Sequence, residues 1–246
     1  MQLIKSYFII VTIFVAISLE GQATFGKIKF KQTNYIDTEK IPAQFAADVP
    51  KSVESFMQLT FNKKECLYEA DPDKKVEENP NDNTPRMFRR MRERANTVYY
   101  KDLSTKTSLE QSKFFGKEFL IADSISGYKW KVSAGEQKSI LGYTCMKAMY
   151  KDSINNIVVF FAPQIPVSFG PEKYGNLPGM ILEVQSAQIH IVATEIFKDE
   201  IAIVPPAKGD KKTRKEFEKL REEKMKEQRE MWGNQRSGGE RMIIRN

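Results

Sequence analysis

The sequence predicts a mainly β protein, in which one antiparallel and strongly curved sheet forms a half-open, barrel-like domain with a C-terminal helical tail. Apolar and polar residues alternate along many short segments, with the period of two that is typical of strands. Turn residues separate these segments at intervals of about 8 to 12 residues, as in antiparallel folds. No amphipathic helical segment lies between them, so a parallel fold of alternating strands and helices is not expected.

The alternation is clearest near the start of the domain. In residues 25–36, Ile28 and Phe30 share one face and three lysines occupy the other. Residues 53–68 repeat the pattern. We therefore expect strands here whose apolar faces pack against the core.

A charged insertion interrupts the β pattern at residues 69–95. Residues 69–85 contain three prolines and no apolar run, and five arginines follow between residues 86 and 94. This composition predicts an exposed loop whose opposite charges neutralise each other.

Strand-like segments return after this insertion. We expect strands in residues 98–102, 106–115, 117–123, 128–133, 138–152, 156–163, 179–185 and 189–197. The segment 156–163 is apolar throughout, which predicts burial on both of its faces. A sheet with apolar residues on both faces favours curvature into part of a barrel.

The tail, residues 205–246, begins with two prolines that end the last strand. Thr213 and Glu216 have the spacing of a helix capping box, and Gly233 is a signal for the end of the helix. The apolar stripe of this helix is thin, so we expect a solvated extension that is stabilised by charge pairs one turn apart. A helix that binds a partner protein is the alternative.

Residues 1–23 have the features of a secretory signal peptide: a lysine, an uncharged apolar run and small residues near Ala23. The run is shorter than the ~20 residues of a comfortable bilayer span. An uncleaved anchor is the alternative. No cysteine follows the run, which excludes a lipid-modified N-terminal cysteine. We expect a periplasmic protein that does not span the membrane after cleavage, with its β domain over residues 24–204.

The formal net charge of +7 allows contact with anionic lipid or acidic partners. Nucleic acid is not expected as a partner. Export separates the protein from it, and the arginine cluster lacks the interleaved aromatic residues that stack on bases.

A loop rich in glycine and proline precedes the apolar strand at residues 179–185. Its distinctive residues are Gly170, Pro171, Gly175, Leu177, Pro178 and Gly179. The last three fit a type II turn, which requires a positive φ at Gly179. We interpret the loop as a stiff corner that aims the strand, and a rim that contacts a ligand or partner is the alternative.

The sequence contains no constellation of residues typical of an enzyme. The one histidine, His190, has no nucleophile beside it, and no hydrolase, zinc-protease or phosphate-binding motif occurs. We therefore expect neither catalysis nor a cofactor. Cys145, Met149 and His190 offer soft ligands, so a copper-binding protein is the alternative function.

Cys66 and Cys145 are the two cysteines. An even number in an exported chain is compatible with one disulfide. Pairing requires Cα atoms within about 7 Å of each other, so two free thiols remain the alternative.

Several segments together resemble the GLPGLI family, a set of exported proteins of Gram-negative bacteria. They are YKWKV from residue 128, KSILGYTCMKA from residue 138, PQIPVSFGPEKYG from residue 163 and NLPGMI at residues 176–181. Asn176 and Met180 replace a glycine and a leucine of the naming motif. The resemblance spans about residues 25–197 and implies no assigned activity.

Family members are often encoded beside TonB-dependent outer-membrane receptors, so the resemblance implies a role in the cell envelope. We therefore expect a non-enzymatic accessory or binding protein. It would serve such a receptor or carry an apolar ligand.

The signal peptide can be tested directly. We expect the mature protein to begin near Ala23 and to be recovered in the soluble periplasmic fraction, because the apolar run is followed by small residues. Intact-mass analysis of the purified protein measures this. Recovery of membrane-bound protein with Met1 still present would contradict the prediction.

Overall fold

The structure, a computed structural model, describes residues 23–37, 50–74, 97–125, 127–153 and 156–240. Twelve strands within these ranges form a single sheet. The first six are β1 Gly26–Tyr35, β2 Ser52–Phe61, β3 Glu65–Ala70, β4 Val98–Asp102, β5 Thr107–Phe114 and β6 Lys117–Ser124. The others are β7 Lys131–Ile140, β8 Tyr143–Lys151, β9 Asn156–Ala162, β10 Met180–Gln185, β11 Ile189–Phe197 and β12 Asp210–Thr213. A 3-10 turn, Pro72–Lys74, follows β3, and helix α1, Arg214–Glu240, follows β12.

The sheet is open and mostly antiparallel, as predicted. Its order is β12-β6-β5-β4-β3-β2-β1-β11-β10-β9-β8-β7, so β12 and β7 are its two edges. The pairing of β12 with β6 is parallel. This exception arises because the tail returns to the edge of the sheet in the direction of β6.

The sheet is strongly curved. Ser112 of β5 and Asn156 of β9 line the same cleft, although their strands lie seven positions apart in the order. In a flat sheet that separation would be about 34 Å, because neighbouring strands are about 4.8 Å apart. The concave face is therefore a half-open barrel whose interior forms the cleft.

Two-residue turns with positive φ close two of the hairpins. Leu141 and Gly142 have φ values of 50° and 84°, and Phe115 and Gly116 have values of 50° and 78°. Such turns match the twist of the strands that they join. The expectation of one continuous strand over residues 138–152 was wrong, since Leu141 and Gly142 reverse the chain there.

The core lies on the concave face, where Ile28 and Phe30 are buried as predicted. On the opposite face, Lys29 forms ion pairs with Asp71 at 3.2 Å and with Asp73 at 2.9 Å. Strand β9 alternates between buried and half-buried residues, so the expectation that it is buried on both faces was wrong. β10 is the strand that is buried on both faces.

The first turns of α1 pack on the sheet, so the expectation of a solvated extension was wrong for this part of the tail. Phe217 is buried against Phe119 and Phe114, with ring centroids 5.3 and 5.7 Å apart. The capping box is confirmed, since the side chain of Glu216 accepts hydrogen bonds of 2.8 Å from the backbone N–H and the hydroxyl of Thr213. The helix continues past Gly233, contrary to the expected stop.

Two expectations fall on residues outside the described ranges. The predicted signal peptide, residues 1–23, lies outside them except for Ala23, and most of the predicted charged insertion, residues 69–95, falls in the stretch 75–96. Of the helices that are described, none combines the length and apolar composition needed to cross a membrane.

The two cysteines are free and buried, so the disulfide considered above does not form. Cys66 lies on β3 and Cys145 on β8, six positions apart in the sheet. Burial raises the pKa of each thiol to about 11. Both thiols are therefore protonated at neutral pH and poorly reactive.

Thiol labelling without reductant tests this arrangement. We expect slow alkylation by iodoacetamide at pH 8 in the native protein and two alkylated cysteines in denaturant, because unfolding exposes both thiols and restores ordinary pKa values. Mass spectrometry counts the adducts. A denatured protein that takes up label only after reduction would mean that the cysteines are paired.

Candidate ligand-binding cleft

The loop between β9 and β10, residues 163–179, packs onto the concave face. Ile165, Phe169 and Leu177 are buried within the core. The backbone N–H groups of Met180 and Ile181 donate to the carbonyls of Ile165 and Phe169, both at 2.9 Å. The loop is therefore part of the folded core, as a corner that aims β10 requires.

Gly179 is needed for a different reason from the one predicted. It does not have a positive φ, so the predicted type II turn is wrong. The N–H of Gly179 donates to the carbonyl of Leu177 at 2.8 Å, which makes a three-residue turn around Pro178. A side chain at Gly179 would have its Cβ 2.7 Å from the carbonyl carbon of Ala162, so any larger residue would force the backbone to shift.

Left-handed backbone occurs at two other positions of the loop. Asn176 has φ of 64° and Glu172 has φ of 49°. Asparagine tolerates this region better than most residues, as expected for its place in the motif. Glu172 has no such preference, so the surrounding fold must hold its backbone in this conformation.

Lys101 anchors the loop from β4. Its side chain is buried, and its Nζ donates to the carbonyl of Tyr174 at 2.5 Å and to that of Gly170 at 3.4 Å. Burial lowers the pKa of this ammonium. From the segment before β7, Nε1 of Trp130 donates to the carbonyl of Gly175 at 2.8 Å. Two side chains thus satisfy three carbonyls of the loop.

Aromatic rings cover the outer side of this loop. The ring of Tyr128 stacks on that of Tyr174 at a centroid distance of 5.5 Å, and it contacts the rings of Trp130 and Tyr150 at 5.0 and 4.9 Å. Burial, with a contribution from the charge of Glu172, raises the pKa of Tyr128 to about 12. The cluster makes the loop a rigid wall.

Glu172 of this loop is the last member of a chain of side-chain hydrogen bonds. Oε1 of Glu172 accepts a bond of 3.0 Å from Nε2 of Gln32, whose Oε1 in turn accepts one of 2.8 Å from the hydroxyl of Tyr68. Burial raises the pKa of the Glu172 carboxyl. The chain fixes the carboxyl group within the mouth of the half-open barrel.

Glu172 borders a cleft of about 600 Å³ on the concave face. Its inner lining includes the polar residues Gln32, Glu110 and Ser112 and the aromatic residues Tyr99, Tyr174 and Phe217. Lys113, Lys173 and Arg221 also line it and are exposed, so they mark its solvent side. The cleft thus combines a carboxylate and aromatic interior with a basic outer margin.

Helix α1 contributes one wall of the cleft and neutralises one of its carboxylates. Arg214, the first residue of the helix, pairs with Glu110 at 2.7 Å and with Asp123 at 3.3 Å. Burial lowers the pKa of the Arg214 guanidinium, but its hydrogen bonds to both carboxylates outweigh this effect and raise the pKa overall. The predicted tail is therefore part of the candidate site.

A second polar cluster lies on the other face of the sheet. Glu183 is buried, with Lys138 at 2.6 Å, His190 at 3.0 Å and Gln185 at 2.6 Å from its carboxylate oxygens. Burial raises its pKa, but these hydrogen bonds outweigh burial and leave the pKa below its usual range. His190 lies opposite Thr33, the neighbour of Gln32, so it faces away from the cleft.

The residues of the copper alternative are not brought together. Cys145 and Met149 lie four residues apart on β8, a separation of about 13 Å along a strand. His190 lies on β11, three positions away in the sheet, and pairs with Glu183. In the described part of the chain, no group of three or more His, Cys, Asp or Glu residues is arranged to hold a metal ion.

The residues singled out in the sequence divide into two groups. Gly170, Pro171, Gly175, Leu177 and Gly179 are buried and shape the loop, while Pro178 is exposed. Sequence reasoning missed Lys101 and Glu172. Glu172 lies inside the loop that the sequence singled out. The signal available in the sequence was a charged residue among the glycines and prolines of this loop.

Two comparisons with known proteins found similarities. A model of an uncharacterised family, described as "Protein of unknown function (Porph_ging)", matches residues 151–183, which include the loop. The structure of PNGF-II in the P21 space group matches with a TM-score of 0.53 at 13% sequence identity, covering 80% of this chain and 33% of the PNGF-II chain. The C2 form of PNGF-II matches with a TM-score of 0.51 at 13% identity, covering 79% and 32%.

At this identity the likeness to PNGF-II concerns the fold alone, and this chain corresponds to about a third of that protein. A search of curated proteins found no match to the sequence.

The close approach at Gly179 yields a stability prediction. We expect Gly179→Ala to lower the free energy of unfolding by about 1–3 kcal/mol, because the new Cβ overlaps the backbone of Ala162 and Pro163. Pro178→Ala should cost only about 0.4–1 kcal/mol, through the greater freedom of the unfolded chain. Denaturant unfolding measures both.

Gly135→Ala is the matched control, because a Cβ at this glycine of β7 would meet nothing within 4 Å. It should unfold like the wild type. If Gly179→Ala were as stable as Gly135→Ala, the close packing of the loop would be refuted.

Proposed function

We propose that this protein is a non-catalytic binding protein of the cell envelope, and that it holds a small ligand in the cleft on the concave face of its sheet. The observation that carries the proposal is the cleft itself. Its volume of about 600 Å³ lies within the roughly 300–1,000 Å³ of small-molecule sites. It also combines aromatic walls with a few converging polar groups, as such sites do.

The rigidity of the cleft supports binding. Lys101 and Trp130 hold the carbonyls of the loop, and the fold keeps Glu172 in a left-handed conformation. Backbone strain of this kind costs about 1–3 kcal/mol and tends to occur at functional sites. A wall that is fixed before the ligand arrives loses little entropy on binding.

Two features favour binding over catalysis. His190, the one histidine of the chain, faces away from the cleft and is paired with Glu183. The thiols of Cys66 and Cys145 have pKa values of about 11, so neither is a ready nucleophile.

The envelope location and the GLPGLI assignment are part of the proposal. They rest on the apolar run in residues 1–23 and on the motif at residues 176–181, which lies within the stretch that the uncharacterised family matches. The same resemblance supports the proposal that the protein acts as an accessory protein of a TonB-dependent receptor. The polar inner lining favours an amphipathic ligand over the purely apolar one expected from sequence.

Native mass spectrometry of protein purified from its own cell envelope tests the proposal. We expect a non-covalent small molecule on the wild type and its loss from Ser112→Trp, because a tryptophan at this position fills the cleft. Ser139→Trp, at an exposed position of β7 that does not line the cleft, should retain the molecule.

Near-ultraviolet circular dichroism of both variants verifies that they are folded. A bound molecule that survives Ser112→Trp, or none on any of the three proteins, would contradict the proposed function.

A further inference from the structure

We propose that the cleft recognises an organic cation, an ammonium or guanidinium group of a small ligand, with the carboxylate of Glu172 as its counter-ion. This inference rests on the proposed function and adds the chemical class of the ligand.

The carboxylates of the sheet and of its β9–β10 loop differ in whether a protein cation is already paired with them. Glu183 has Lys138 at 2.6 Å, and Glu110 has Arg214 at 2.7 Å. Among the described residues, no cation lies within 4 Å of the Glu172 carboxylate, whose recorded side-chain partner is the neutral amide of Gln32. Glu172 therefore presents to the cleft a carboxylate that has no directly paired cation among these residues.

The buried ammonium of Lys101 does not take this role. Nζ of Lys101 is already directed at the carbonyls of Tyr174 and Gly170. Lys101 and the exposed Lys173 both lower the pKa of Glu172, yet burial outweighs them. A desolvated carboxylate in this state gains most from a cation that enters the cleft and contacts it directly.

The walls of the cleft suit a cation as well. Tyr99 and Tyr174 line the cleft beside Glu172, and Phe114 and Phe217 line it further along. Aromatic faces attract ammonium and guanidinium groups, by about 0.5–1 kcal/mol at exposed sites and by about 2 where water is excluded. The combination of a fixed carboxylate and aromatic faces therefore selects for positive charge.

The outer margin of the cleft sets the orientation of the ligand. Lys113, Lys173 and Arg221 are exposed there, and they repel a second cationic group. The charges of the cleft therefore suit a ligand that places its cation beside Glu172 and a carboxylate or other anionic group at the basic outer margin. Free amino acids with basic side chains have this charge arrangement and serve as probes.

Isothermal titration calorimetry with two matched pairs of probes tests the inference. L-arginine is compared with L-citrulline, and L-lysine with L-norleucine, because each pair keeps the chain length and removes the side-chain charge. We expect the charged member of at least one pair to bind about tenfold or more tightly than the neutral member. Comparable affinity within both pairs would overturn the inference.

Variants locate the effect. Glu172→Gln should lower the affinity for the charged probe by about tenfold or more and leave the affinity for the neutral probe unchanged. Glu118→Gln, at an exposed position outside the cleft, should change neither affinity. Glu172→Asp, which keeps the charge, should bind at an intermediate affinity. Full affinity for the charged probe in folded Glu172→Gln would overturn the inference.

Failure of the inference differs from failure of the proposed function. If the neutral probes bind as well as the charged ones, and Ser112→Trp abolishes both, then the cleft binds ligands without charge selection and only the inference fails. If a molecule co-purifies in the cleft but no basic probe binds, the inference fails again. If no probe binds and no molecule co-purifies, both the inference and the proposed function are refuted.

Discussion

One buried ammonium holds the concave face together. Lys101 lies on β4, and the carbonyls that it bonds belong to the loop that leads into β10, five positions away in the sheet. Burying an ammonium costs several kcal/mol unless hydrogen bonds replace its water, and here the carbonyls of Tyr174 and Gly170 do so. This contact across the barrel, together with the hydrogen bond from Trp130, fixes the position of the loop and therefore of Glu172.

Two carboxylates of this fold, Glu183 and Glu172, are accommodated in different ways. Glu183, on the convex side, is surrounded by three hydrogen-bond donors, and its pKa falls below the usual range. Glu172, on the concave side, has a neutral amide as its recorded partner, and its pKa rises because burial dominates. The first arrangement pairs the carboxylate with a cation from the sheet itself, whereas the second leaves Glu172 without a paired cation among the described residues.

Local patterns predicted local features of this fold, and they did not predict contacts between distant segments. Alternation located β1, and the spacing of Thr213 and Glu216 located the start of α1, because both depend on residues close in the chain. The burial of Lys101 depends on carbonyls about 70 residues further along the chain, so no local pattern marks it. The need for glycine at 179 was visible, but its cause, the backbone of Ala162, is a tertiary contact. Glu172 was overlooked for the same reason, since its value as a site comes from Gln32 on β1.

The place of β1 in the sheet has a consequence for how the chain folds. β1 pairs with β2, its neighbour in sequence, on one side, and with β11, from the far end of the domain, on the other. The second edge of β1 therefore stays open until nearly the whole domain has been synthesised, and pairing of such distant segments is slow. An open edge is a template for association with other chains, and lysines beside it discourage that association. The three lysines that alternate along β1 place positive charge beside this edge while it is open, before Lys29 forms its ion pairs with Asp71 and Asp73 in the finished fold.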